Sequence, residues 1–206
     1  MNFLAHAWLA GDAPADRLGG LMGDFVKGAL PAGLPPDVAE GVRLHRQIDV
    51  FADTHPAFLR SRARISPARR RVAGVMVDMF YDHFLARHWA RFHAEPLERF
   101  SVAMYALMDA NGALLPPRLA AILPRMRESD WLGSYRSADV IAMALDRMAQ
   151  RLRRANPLTG SGTELLADYA GFEADFFEFI AAAEAFAANC RAQRGPGSGG
   201  RVSAAE

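Results

Sequence analysis

Residues 74–89, GVMVDMFYDHFLARHW, set Asp78, Asp82 and His83 inside an otherwise almost wholly apolar and aromatic run. A segment this oily belongs in a core, and a buried carboxylate without a partner costs several kcal/mol. Each acid must therefore be protonated, hydrogen-bonded or bound to a cation, and the fold has to supply what it needs. Asp78 and Asp82 are four residues apart, so on a helix they stack on one face, with His83 about 100° further round. Two carboxylates so placed repel unless positive charge lies between them.

Helical spacing governs the rest of the chain, and no alternating strand bounded by turn residues is present. Leu18, Leu21, Met22 and Phe25 follow a helical stripe in a segment rich in Gly19, Gly20, Gly23 and Gly28. Those glycines read as positions where another backbone comes close. Pro36 suits the first turn of a helix over 36–53, and Ser66-Pro67 suits the start of a long central helix over 66–92. Amphipathic stretches follow over 97–108, 117–129, 137–154 and 163–188, separated by Asn111-Gly112, Gly133 and Asn156-Pro157. Phe172, Phe176, Phe179 and Phe186 read as core. The expected fold is all-α, one helical domain of about seven helices over residues 1–190, with a Gly- and Ser-rich disordered tail over 191–206. A length of 206 residues, 51% hydrophobic, suits one core rather than two.

Four apolar segments each carry a side chain of metal-ligand type. His45 and Asp49, four apart, extend the stripe of Val38 and Val42, the spacing by which one helix offers two ligands to one ion, and Asp53 continues it. Asp24 sits in GGLMGDFVKG, His6 in NFLAHAWLA, and Asp78 and Asp82 in the central run. Nitrogen and carboxylate donors without thiolates favour Mn²⁺, Fe²⁺, Zn²⁺ or Mg²⁺ over a structural zinc knot. The bland alternative is internal pairing: Asp24 with Lys27 or an arginine, Asp78 and Asp82 with Arg46 or Arg71, and His45 with Asp49. His55, His88 and His93 lie in more polar contexts and read as surface or supporting residues.

Other chemistries are set aside. Glu-x-x-His pairs of a di-iron bundle are missing, as are a Walker loop, a G-x-S-x-G elbow and a dinucleotide glycine fingerprint. A single cysteine, Cys190, excludes an intramolecular disulfide and a cysteine metal cage. The apolar start MNFLAHAWLAGD lacks a basic flank, and no run approaches the roughly 20 residues that span a bilayer. A cytoplasmic protein without membrane contact is expected. Of 24 Lys and Arg residues only Lys27 is a lysine, and guanidinium groups suit bidentate contact with carboxylate or phosphate.

The blocks MNFLAHAWLA, GGLMGDFVKG, PPDVAEGVRLHRQIDVFADTHP, RRVAGVMVDMFYDHFLARHW and DWLGSY, spread over residues 1–190, resemble the acyl carrier protein phosphodiesterases. The resemblance implies an all-helical variant of the HD phosphohydrolase fold with a Mn²⁺-dependent site. It also implies release of 4'-phosphopantetheine from holo acyl carrier protein to leave the apo form. One departure stands out: ordinary HD enzymes read His then Asp, whereas this chain reads Asp82 then His83. Under this resemblance Asp24, His45 and Asp82, with His83 or His6, hold the metal. His83, or else His6, protonates the leaving serine oxygen, and Asp49 and Asp78 orient or complete the ligand set. Arg60, Arg62, Arg64, Arg69, Arg70 and Arg71 fall within twelve residues that contain no acid. Beside the site they read as a basic patch that steers an acidic carrier protein. Arg147, Arg151 and Arg154 read as ordinary helix surface. A net charge of +1 and the lack of a binding motif speak against nucleic acid. Two alternatives are an HD-like phosphohydrolase of a nucleotide or another small phosphoester, and a non-enzymatic helical module that binds carrier protein.

Overall fold

α5 (Ala73–Arg87) is the centre of the architecture, and the computed structural model, which describes residues 2–151 and 156–194, builds the other helices around it. Before it in the chain come α1 (Phe3–Leu9), α2 (Pro14–Met22), α3 (Pro36–Thr54) and α4 (Pro56–Arg64). After it come α6 (Leu97–Ala110), α7 (Pro117–Glu128), α8 (Trp131–Ser134), α9 (Ala138–Arg151), α10 (Thr163–Ala167) and α11 (Tyr169–Ala192). Among the described residues there is no strand, so the all-α expectation holds. No helix among them is long and apolar enough to cross a membrane.

α5 is apolar around most of its circumference, the signature of a helix covered on every side. Met76, Val77, Phe80, Tyr81, Phe84 and Leu85 are completely buried, and α1, α4, α9 and α11 pack against them. The aromatic side chains expected in the core interlock edge to face, as in Phe58 on Tyr81 (5.7 Å) and Phe80 on Phe172 (5.1 Å). Phe172, Phe176 and Phe179 are buried, while Phe186 is half-buried and stacks on Phe51.

Among the described residues eleven α-helices stand where about seven were expected: α1, α4 and α8 form in stretches read as non-helical, and one long segment divides into α10 and α11, while another loses its first turns. The stretch Pro67–Val72 is a 3-10 turn rather than the first turns of a 66–92 helix. Arg69 pulls it toward Glu164 (3.0 Å) and the Pro157 carbonyl (3.0 Å), and Val72 (φ −113°, ψ 5°) resets the direction before α5. The 163–188 segment divides at Asp168, whose carboxylate accepts from the Gly171 N–H and starts α11 afresh. The expected 137–154 helix is described only to Arg151, so Arg154 lies outside the described residues. α11 runs on to Ala192, and Arg194 then pairs with Asp16 (2.6 Å). The remainder of the expected tail, 195–206, also lies outside the described residues.

The close approach read from the glycines occurs where α2 crosses α3. A Cβ on Gly19 would lie 2.5 Å from the Gly41 carbonyl carbon and the Val42 nitrogen, so the two backbones touch. Gly28 has a different role: a Cβ there would meet nothing within 4 Å, and its φ of +82° marks a turn.

Most of the 60–71 arginine block is taken up inside the molecule. Arg60 bonds Asp175 (2.9 Å) and Glu178, Arg64 bonds Asp175 (2.8 Å) and Asp168, and Arg62 stands 3.5 Å from Asp53. Asp175 is buried and also accepts from Ser61 Oγ, so Arg60 and Arg64 fasten α4 to α11. Arg70 and Arg71 are exposed.

Candidate metal centre

α3 places His45 and Asp49 one turn apart, facing α1 and the 3-10 turn Gly23–Phe25. His45 is buried, with Nδ1 2.8 Å from the Gly20 carbonyl. A carbonyl only accepts, so Nδ1 carries the proton and Nε2 is turned toward two carboxylates. It stands 3.2 Å from Asp49 Oδ2 and 3.5 Å from Asp24 Oδ1. Gly23 makes this possible, since a Cβ there would fall 2.3 Å from His45 Cγ.

α1 brings His6 onto the other side of the same carboxylate. The His6 ring stacks on His45 at 3.6 Å between centroids and 20° between planes. Its Nε2 is 3.1 Å from Asp49 Oδ1, so Asp49 offers one oxygen to each imidazole. Both ring nitrogens of His6 are buried, and neither is in hydrogen-bond geometry with a described group. Two buried imidazoles in contact are not protonated together, and the electrostatics divide them accordingly. Burial and the neighbouring His45 lower the His6 pKa to about 3. Burial would lower His45 as well, but the Asp24 and Asp49 carboxylates outweigh it and raise that pKa to about 9. Burial works against the Asp24 and Asp49 carboxylates, yet His45 holds both below the ordinary range, with His6 adding to its effect on Asp49.

A divalent cation fits this donor set. Ligand atoms of His6, His45 and Asp49 lie within 4.8 Å of one another, and Asp24 adds a further carboxylate. The lone-pair nitrogen of neutral His6 would gain a partner, and the Gly20 carbonyl already orients His45 as a ligating imidazole is oriented. Two nitrogens and carboxylate oxygens suit Mn²⁺, Fe²⁺, Zn²⁺ or Mg²⁺. Without a cation, His45 itself neutralises the carboxylates, which makes stability depend on pH. Its folded pKa of about 9 exceeds the ordinary 6.5, so the stabilisation is complete below pH 6.5 and is lost as pH rises through about 9. In a chelator the thermal midpoint is therefore expected to fall between these pH values, and His45→Gln should flatten that slope.

The central helix contributes differently from what its spacing suggested. Asp78 lines a cavity of ≈ 420 Å³ together with Asn2, Asp24, Asp49, Asp53 and Met148. Burial raises its pKa, and the Asp49 and Asp24 charges add to that effect. Asp82 lies one turn deeper, fully buried, and accepts from the backbone N–H groups of Leu4 (2.9 Å) and Ala5 (3.2 Å). Its carboxylate thus caps the N-terminus of α1 and sets the helix that carries His6. Burial pushes the Asp82 pKa up to about 7 against the pull of those two N–H groups. His83 is not brought to the cluster. Its Nδ1 meets the Tyr135 carbonyl (2.9 Å) and its Nε2 the Tyr169 hydroxyl (2.8 Å), leaving neither nitrogen to face His6, His45 and Asp49. The structure therefore gathers His6, Asp24, His45 and Asp49, sets Asp78 on the wall of the adjoining cavity, and leaves Asp82 and His83 in supporting positions. His55 caps α4 through Ala57 N–H, and His88 bonds Glu173. Sequence reading missed the Gly20 carbonyl, Gly23, Tyr135 and Tyr169. Only the glycines left a signal, as a flexible-looking stretch beside a helix with an imidazole on its inner stripe.

The family model for acyl carrier protein phosphodiesterase matches residues 1–183 of the chain. The acyl carrier protein phosphodiesterase of Escherichia coli O157:H7 (strain EC4115 / EHEC) is 38% identical over 182 residues, covering 87% of this chain and 93% of the relative. Those of Salmonella dublin and Shigella boydii serotype 18 are each 37% identical, over 180 and 182 residues, with the same coverage. No solved structure matches. With the match running through α1, α3 and α5, the helices that build and support the cluster, the chain belongs to the acyl carrier protein phosphodiesterase family.

Proposed function

We propose that the chain is a metal-dependent phosphodiesterase that cleaves holo acyl carrier protein into apo carrier protein and 4'-phosphopantetheine. The observation that carries this reading is the meeting of His6, His45 and Asp49 around one point, with Asp24 beside them and a carboxylate-lined cavity adjoining. His6, His45, Asp49 and Asp24 would hold the ion, with Mn²⁺ the first choice for this donor set. When bound, such a cation neutralises phosphate oxygens and acidifies a water for attack on phosphorus. The residues of the chain do the positioning. The Gly20 carbonyl fixes the His45 tautomer, and Asp49 spans the two imidazoles. Asp82 sets the height of His6 by holding the first N–H groups of α1. In this reading the fold is a variant of the HD phosphohydrolases in which the Asp82-His83 doublet supports the site from behind. Its place of action is the cytoplasm, with the carrier protein.

Incubating the protein with holo carrier protein and Mn²⁺, with mass readout of the carrier, tests the reading directly. Loss of the prosthetic group is expected, stopped by a chelator and restored by added Mn²⁺. A carrier protein that keeps its arm under these conditions, or loses it equally fast in excess chelator, overturns it. Hydrolysis of free nucleotides in place of holo carrier protein would transfer the site to a small-molecule phosphohydrolase.

A further inference from the structure

A second cavity, of ≈ 750 Å³, opens beside the metal centre and shares Asn2, Asp24 and Met148 with the first. Phe3, Phe25, Ile122, Trp131 and Val140 make its floor and walls apolar. Lys27, Arg118 of α7, and Arg147 and Arg151 of α9 bring four cations to its lining. All four are exposed, and among the described residues none has a carboxylate within ion-pair distance. Among the described residues the only acid in the lining is Asp24, at the end that joins the His6, His45 and Asp49 cluster.

This arrangement reverses the assignment drawn from sequence. In the 60–71 block Arg60, Arg64 and Arg69 are neutralised by Asp175, Glu178, Asp168 and Glu164. The two α9 arginines that read as plain surface instead border an apolar groove that leads to the ligands. Four like charges around one groove repel one another, and an arriving anionic surface relieves that repulsion.

We infer that Lys27, Arg118, Arg147 and Arg151 form the docking surface for the acidic face of holo carrier protein. Its prosthetic arm lies in the apolar groove, with the phosphodiester directed to the His6, His45 and Asp49 end. The inference rests on the proposed function for the identity of the partner. The groove fits the arm because its amides and methylenes carry no charge beyond the phosphate, while the cations stand where the protein body of the substrate would rest.

Steady-state kinetics with holo carrier protein and Mn²⁺, at several NaCl concentrations, test it with Arg118→Glu, Arg147→Glu and the pair combined. Each single reversal is expected to raise KM about tenfold and to flatten the salt dependence, with kcat within about twofold of wild type. Arg99→Glu, the same charge change on α6 outside the groove lining, should leave KM in place. The docking surface is refuted if the 118 and 147 reversals leave KM and its salt dependence at wild-type values, or if Arg70→Glu with Arg71→Glu moves them instead. Binding of labelled holo carrier protein, followed by anisotropy on the same variants, separates this inference from the catalytic one. Wild-type protein that binds through these cations and releases no phosphopantetheine refutes the activity and keeps the surface. Turnover that is indifferent to them does the reverse.

Discussion

Asp49→Asn is expected to abolish metal retention and to lower turnover of holo carrier protein by at least about 100-fold, the upper range seen when even an outer partner of a metal ligand is removed. Asp49 is the one side chain that reaches both imidazoles, at 3.1 Å from His6 and 3.2 Å from His45. The amide keeps its shape and discards its charge, so the variant separates electrostatics from packing. Asp49 sits at the edge of the cluster rather than in the core, so the helical circular dichroism spectrum should not change. Metal analysis after gel filtration and the mass assay on carrier protein are the two readouts. A variant that keeps stoichiometric metal and full turnover would remove Asp49, and with it the cluster, from the mechanism.

Gly23→Ala should be nearly as damaging, although it alters no ligand. The new methyl would sit 2.3 Å from His45 Cγ and 2.5 Å from its Nδ1, a distance real atoms do not tolerate. Either the imidazole leaves the Gly20 carbonyl and swings off Asp24 and Asp49, or the 3-10 turn moves and takes Asp24 with it. Overpacking of this kind costs about 1–3 kcal/mol of stability, while the loss of activity should be similar to that of Asp49→Asn. Gly112→Ala serves as the control, since a methyl there meets nothing within 4 Å. Equal activity for the two alanine variants would show that the His45 position is not critical.

The fold class was readable because helical spacing and the lack of alternating segments leave little choice, and the buried run on α5 announces a central helix. The first break was not readable, since it depends on distant partners, Glu164 and Pro157 for Arg69; the second has a local part, the Asp168 cap on Gly171, and a distant one, Arg64. At the site, the i, i+4 pair His45 and Asp49 could be located from spacing alone, because both ends of that relation lie on one helix. Asp24 and His6 were found by their chemistry in apolar settings. Asp82 and His83 look no different from them in sequence. What separates them is tertiary: one faces the start of α1, and the other lies between Tyr135 and Tyr169. The arginines show the same limit, since a block without local acids meets its counter-charges about a hundred residues away on α10 and α11.

α1 is seven residues long, far below the length at which a helix holds itself together in water. Its start hangs on Asp82, and Arg191 of α11 bonds the Leu9 carbonyl at its end. His6, carried on α1, thus has no firm seat until Asp82, 78 residues from Leu4, and Arg191, 182 residues from Leu9, have come into place. Under the proposed function, competence to bind the ion should therefore appear only at the last stage of folding, and a half-folded chain is no catalyst.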